Sequence, residues 1–211
     1  MRMPPTSYLI LVLLLLSACA GSASPEATEA LAQEIATTEV TPTETEMPTS
    51  EPSDTPTPAP FTMQIEGFGS GDVIPNQFSC LGDNLSPRFT WNEPPMGTQS
   101  IALLFDDPDA PGGSWVHWIL FNIPADVREL PAAMPDASTY EDGSKAGANS
   151  WGETSYGGLC PPVGSTHEYV FYLYALDSML ELNPGARKAE LLTAIEGKVL
   201  AESIYTGLFS R

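Results

Sequence analysis

The chain changes character at Pro60, and that break decides how much of it can fold. From Ala20 to Pro60 it is built of Thr, Pro, Ser, Ala and Glu, with eight acidic residues and no Lys or Arg. Such a stretch cannot bury enough apolar surface to offset its ordering entropy, so residues 19–60 are expected to be a disordered linker. Its Thr-Pro repeats favour extended, polyproline-like conformations. Ahead of it, Arg2 and the apolar run Tyr8–Leu16 read as an export signal, because a membrane-spanning helix needs about 20 residues. The run ends in Leu16-Ser17-Ala18-Cys19, a lipobox pattern. Residues 1–18 are therefore expected to be a lipoprotein signal peptide, with Cys19 lipidated and anchored to a membrane at the outer face of the cell envelope. Everything that packs a core must lie in 61–211, about one domain's worth of chain.

The net charge is −19, and the segment from Phe61 onward holds 19 acidic and seven basic residues. That balance argues against a nucleic-acid partner and against docking on anionic lipid through a basic face. With Cys19 assigned to the lipid, Cys80 and Cys160 remain, an even pair in an exported domain. A disulfide is the default for that compartment, and two buried thiols are the alternative.

Several segments of the domain read as strands: Phe61–Ile65, Arg88–Trp91, the continuous apolar run Ser100–Phe105, Trp115–Asn122, His167–Leu176 and Ile204–Phe209. The run Ser100–Phe105 has the pattern of a strand buried on both faces. One helix is expected over Lys188–Glu202, with Leu191, Ile195 and Val199 as its apolar stripe. Gly197 inside it costs about 1 kcal/mol relative to Ala and calls for a packing reason. Many strands, long Pro/Gly loops and one late helix make the fold class mainly β, an antiparallel sandwich with a C-terminal helix.

The chain has two histidines, and each lies in a dense cluster. The first cluster is Asp106-Asp107-Pro108-Asp109-Ala110-Pro111, continuing through Gly112-Gly113-Ser114 to Trp115-Val116-His117-Trp118. The second is Tyr156-Gly157-Gly158-Leu159-Cys160-Pro161-Pro162 with His167-Glu168-Tyr169. Together with Asp83-Asn84-Leu85-Ser86-Pro87, these motifs resemble the phosphatidylethanolamine-binding protein family, in its bacterial Raf-kinase-inhibitor-like branch, over about three quarters of the chain. The resemblance implies a central β-sheet packed by a second small sheet, with helix near the C-terminus. It also implies an anion-accepting pocket in which Asp107 is the aspartate and His117 and His167 the two histidines. Trp115 and Tyr169 then form walls, and Pro161 and Pro162 the rim.

The residue types fit that chemistry independently. A carboxylate beside an imidazole fixes its tautomer and favours its charged form, giving a phosphate oxygen a proton donor. With no Lys or Arg inside the clusters, a protonated imidazole held by Asp107, at His117 above all, is the expected cation, and backbone amides of the loops are the alternative. Trp115 and Trp118 are three apart and face opposite sides of a strand, and parity places Trp115 with His117. Asp109 is expected to serve a turn, and Asn149-Ser150-Trp151-Gly152 to be loop architecture. The chain departs from the family pattern at Leu159 (usually Pro), Glu168 (usually Arg) and Arg187, where a capping Thr is usual and a capping box with Glu190 is forgone.

Three functions compete. The first is a non-catalytic module binding a small anionic or phosphorylated ligand or a phospholipid headgroup. The second is a protein-interaction module acting as a protease or kinase inhibitor. The third, a hydrolase, lacks a Gly-x-Ser-x-Gly elbow, a His-Glu-x-x-His helix or a phosphate-cradling Gly-rich loop. His117, His167 and Asp107 have no diagnostic metal-ligand spacing, so neither a metal nor a cofactor is expected.

Overall fold

The computed structural model describes residues 59–211. The expected signal peptide, the lipidation site Cys19 and nearly all of the linker lie outside the described residues. Along the chain come β1 (Met63–Ile65), β2 (Phe89–Trp91), β3 (Ser100–Asp107), β4 (Trp115–Pro124), β5 (Glu129–Leu130), β6 (Lys145–Ala146), β7 (Thr166–Leu176), α1 (Lys188–Ile195) and β8 (Val199–Ser210). They build a small sheet ordered β1-β2-β5 and a larger one ordered β6-β4-β3-β7-β8, with every strand pair antiparallel. This is the mainly β sandwich that the strand pattern predicts.

Strand β3 occupies the middle of the larger sheet and is buried along all eight residues. Alternate side chains explain how. Ile101, Leu103 and Phe105 pack towards the small sheet with Phe89 and Trp91, whereas Ala102 and Leu104 pack with Leu191 and Ile195 of α1. Burying each larger apolar side chain contributes about 1.5–3 kcal/mol, so two covered faces hold β3 in one register. Strand β4 departs from that regularity at a bulge. Phe105 pairs with Trp118 and Asp106 with Val116, which leaves His117 as the extra residue. Bulges bend a strand and re-aim a side chain, and this one falls where the pocket is built.

The helix expected over 188–202 stops at Ile195. Leu191 and Ile195 are buried as the stripe requires, but Val199 and Leu200 are exposed and belong to β8. Gly197 sits at φ +73°, a left-handed conformation that turns the chain out of the helix. Its role is therefore the turn and not close packing within a helix. Beyond it the backbone enters the β7 ladder, where Leu176 pairs with Val199, so the closing strand begins five residues before the expected Ile204. At the other end, Glu190 accepts the Arg187 N–H at 2.9 Å. Half of the capping box is thus retained. The guanidinium has no acceptor with which to return the bond.

Gly197→Ala distinguishes the two readings of this segment by sign. At positive φ the alanine is strained, and urea unfolding should show a loss of about 1 kcal/mol. A helix running through residue 197 would gain about that much from the same change.

Candidate ligand pocket

Asp106 and Asp107 end β3, and each is only 3 % exposed. Neighbours on a strand point to opposite faces, so each carboxylate needs its own partner. Asp106 is met by Lys188 Nζ and by the Ser114 hydroxyl, both at 2.6 Å, which ties the start of α1 to the sheet. Asp107 accepts the Nδ1–H of His167 at 2.8 Å, with both side chains buried. Its other oxygen accepts the Asp109 N–H at 3.0 Å, and the Asp109 carboxylate accepts the Glu168 N–H at 2.8 Å. Asp109 thus serves the turn, as its residue type predicts. Glu168 is exposed and faces away from the pocket.

His117 is held differently. Its Nδ1–H donates to the Gly157 carbonyl at 2.7 Å, and the Gly157 N–H returns to the His117 carbonyl at 3.0 Å. The ring is enclosed by Phe105, Tyr169 and Trp151, with centroids 4.8, 5.3 and 5.3 Å away. Burial pushes its pKa below the ordinary histidine value, and the opposing pulls of the Gly157 carbonyl, Asp107 and Asp106 do not overcome it. This corrects the expectation of a protonated His117 held by Asp107. The aspartate holds His167, and His117 is a neutral ring in an aromatic cage.

A cavity of about 400 Å³ opens at this end of the sandwich, and Asp107, Trp115, His117, Pro161, Pro162 and His167 all line it. Trp115 is 37 % exposed at the mouth, whereas Trp118 is core; the bulge at His117 cancels the expected alternation and puts both on the Phe105–Asp107 face, so depth and not parity divides them. Tyr169 is not on the cavity surface. It is fully buried behind it, its ring 6.3 Å from that of His167, and its hydroxyl has no hydrogen-bond partner. Burial first, and then the negative charge of Asp107, raise its pKa well above the ordinary phenol value.

Two lining residues come from outside both histidine clusters, Trp151 and Arg211. Trp151 belongs to the segment assigned to loop architecture, and it stands edge-on to Trp115 at 5.2 Å and to His117. Gly157 gives it room, since a Cβ there would lie 2.3 Å from the indole. Arg211 arrives through pairing of β7 with β8, in which Thr166 is opposite Ser210. Its Nη1 donates to Cys160 Sγ at 3.3 Å. The signal for it was the closing strand itself: antiparallel to the His167 strand, it returns the chain's last residues to the pocket. Arg211 brings to the cavity a cation from outside the two histidine clusters, where imidazole was expected to supply the positive charge.

The loop carrying Pro161 and Pro162 is clamped from below. Cys80 and Cys160 form a disulfide with their Cα atoms 5.5 Å apart. Asn84 accepts the Gly158 N–H at 2.8 Å, and Tyr156 donates its hydroxyl to the Phe78 carbonyl at 2.7 Å. The upstream Asp83–Pro87 motif therefore acts on the pocket through this loop, not by lining it. Among the described residues no three His, Cys, Asp or Glu side chains converge as a metal would need.

Comparison with known proteins now decides the family. The sequence profile described as "Phosphatidylethanolamine-binding protein" matches residues 64–210. This chain belongs to the phosphatidylethanolamine-binding protein family. It is 45 % identical to a UPF0098 protein of Methanothermobacter thermautotrophicus over 72 % of this chain and 99 % of that one. It is 40 % identical to a Mycobacterium tuberculosis protein named "Putative lipoprotein LppC", covering 74 % of this chain and 76 % of the other. The crystal structure of Escherichia coli YbcL, described as a new member of the mammalian family, superposes with a TM-score of 0.65 at 30 % identity, over 72 % of this chain and 99 % of YbcL. The matched span begins inside β1 and leaves out the acidic linker.

The neutral His117 has a consequence for stability. Its pKa is lower in the folded than in the unfolded chain, so the unfolded chain binds more protons between the two values. The stability it confers is present above about pH 6.5 and is lost as pH falls below that. Thermal unfolding between pH 7.5 and 5 should show the wild type losing more stability than His117→Gln. Parallel profiles would contradict a buried neutral imidazole.

Proposed function

We propose that this protein is a lipid-anchored, non-catalytic module that binds a small phosphorylated or headgroup-like anion in the pocket at the ends of β3, β4 and β7. The observation that carries the reading is the meeting of Arg211 with the buried Asp107–His167 pair in one cavity of a strongly acidic domain. An anion approaching such a surface is repelled at long range, so a pocket for it needs a local cation. Arg211 brings a guanidinium to the cavity, and the planar fork of that group matches phosphate oxygens. The tryptophan and proline walls lower the local dielectric and strengthen each such bond.

A hydrolytic role is disfavoured by the fate of Cys160, the thiol nearest the histidines, which is spent in the disulfide. Anchoring is supported by Leu16-Ser17-Ala18-Cys19 and by the name of the mycobacterial relative. The two partly exposed tryptophans at the mouth, Trp115 and Trp151, favour the second reading, in which a protein partner inserts a side chain there.

Calorimetric titration with phosphoethanolamine tests the ligand. The wild type should bind, and Arg211→Gln should bind about tenfold more weakly, the equivalent of about 1.4 kcal/mol. No affinity in the wild type for this or other phosphorylated compounds would leave the protein-partner reading. The anchor is tested separately, by fractionating cells expressing the full chain. Cys19→Ser should move the protein from the membrane to the soluble fraction, and identical fractionation would exclude the lipid.

A further inference from the structure

The two imidazoles of the pocket are held by different acceptors, and each leaves its Nε2 free of the protein. His167 spends its Nδ1–H on Asp107, and its Nε2 makes no hydrogen bond within the protein. His117 spends its Nδ1–H on the carbonyl of Gly157. A carbonyl can only accept, so the hydrogen is on Nδ1, and in the neutral ring Nε2 presents a lone pair. The enclosure by Phe105, Tyr169 and Trp151 keeps that ring neutral. Among the described residues the buried side-chain polar atoms without partners are Trp118 Nε1 and the Tyr169 hydroxyl. The free Nε2 of His117 is not sequestered with them, and its ring lines the cavity.

We infer that the pocket selects an anionic group carrying its own hydrogen-bond donor, a singly protonated phosphomonoester in preference to a phosphodiester. The inference rests on the anion-binding reading above and names the ligand class. Arg211 offers donors to the bare oxygens, and His117 offers an acceptor for a P–O–H. A phosphodiester monoanion has the same charge but no hydrogen on its phosphate. Set in the same place, it turns an oxygen towards the His117 lone pair and leaves that nitrogen unpaired. Sites built to bond a ligand hydroxyl reject the analogue that lacks it far more strongly than apolar pockets reject a change of size.

Methyl phosphate and dimethyl phosphate isolate the difference, because as monoanions they differ only in P–O–H against P–O–CH3. Titrations of the full chain followed by phosphorus NMR at pH 6, where about half of the monoester carries its proton, read both affinities, with the first referred to its protonated fraction. Methyl phosphate should bind at least about tenfold more tightly, and His117→Phe should bind both weakly and equally. Equal affinities in the wild type, or tighter binding of the diester, would overturn the inference and leave an anion pocket standing. Binding of neither compound would overturn the anion reading as well. A preference that survives in His117→Phe would assign it to another group and overturn the role given to His117. Should that variant fail to fold, His117→Asn gives the same comparison.

Discussion

Two adjacent carboxylates end the central strand out of contact with water, and the burial of each depends on a hydrogen-bond donor from a distant part of the chain. Asp106 depends on Lys188 and Asp107 on His167. Removing one member of such a pair strands a buried charge, which costs about 3–5 kcal/mol. The alternation of strand side chains sends the two carboxylates to opposite faces, so a single dipeptide organises both sides of the sheet. On one face it fixes the start of α1. On the other it fixes His167, and with it the floor of the cavity. The bulge at His117 then places a second imidazole on that wall, held by a backbone carbonyl instead of a carboxylate.

Much of this was legible in the sequence. The uninterrupted apolar run at Ser100–Phe105 could only be a strand covered on both sides, and the aromatic and β-branched runs marked β4 and β7. The two histidine clusters marked the pocket through their resemblance to the family's motifs, the chain having no other histidine. The helix end was misread because Leu191, Ile195 and Val199 satisfy a helical period, while the conformation of Gly197 is not visible in a periodicity. Arg211 was missed because proximity between a last residue and a loop 50 positions earlier exists only once β7 and β8 pair. Which histidine takes Asp107 was also beyond reach. It follows from the bulge, which turns His117 towards the Gly157 carbonyl and leaves the carboxylate to His167.

The electrostatics of the domain work on two scales. At long range the acidic surface repels anions, and screening at physiological salt confines that field to about 8 Å. Within the cavity, Arg211 stands against a disulfide and not against a carboxylate, so its charge is not spent inside the protein. The clamp on the loop, from the disulfide, Asn84 and Tyr156, holds Pro161 and Pro162 in place before any ligand arrives. Such preorganisation lowers the ordering cost of binding.

A crystal structure of the protein grown or soaked with inorganic phosphate tests the central claim most directly. The account predicts one phosphate in the cavity, its oxygens within hydrogen-bond distance of Arg211, His167 Nε2 and His117 Nε2, with the Asp107–His167 pair intact. An empty cavity at saturating phosphate, or phosphate bound only on the outer surface, would contradict it.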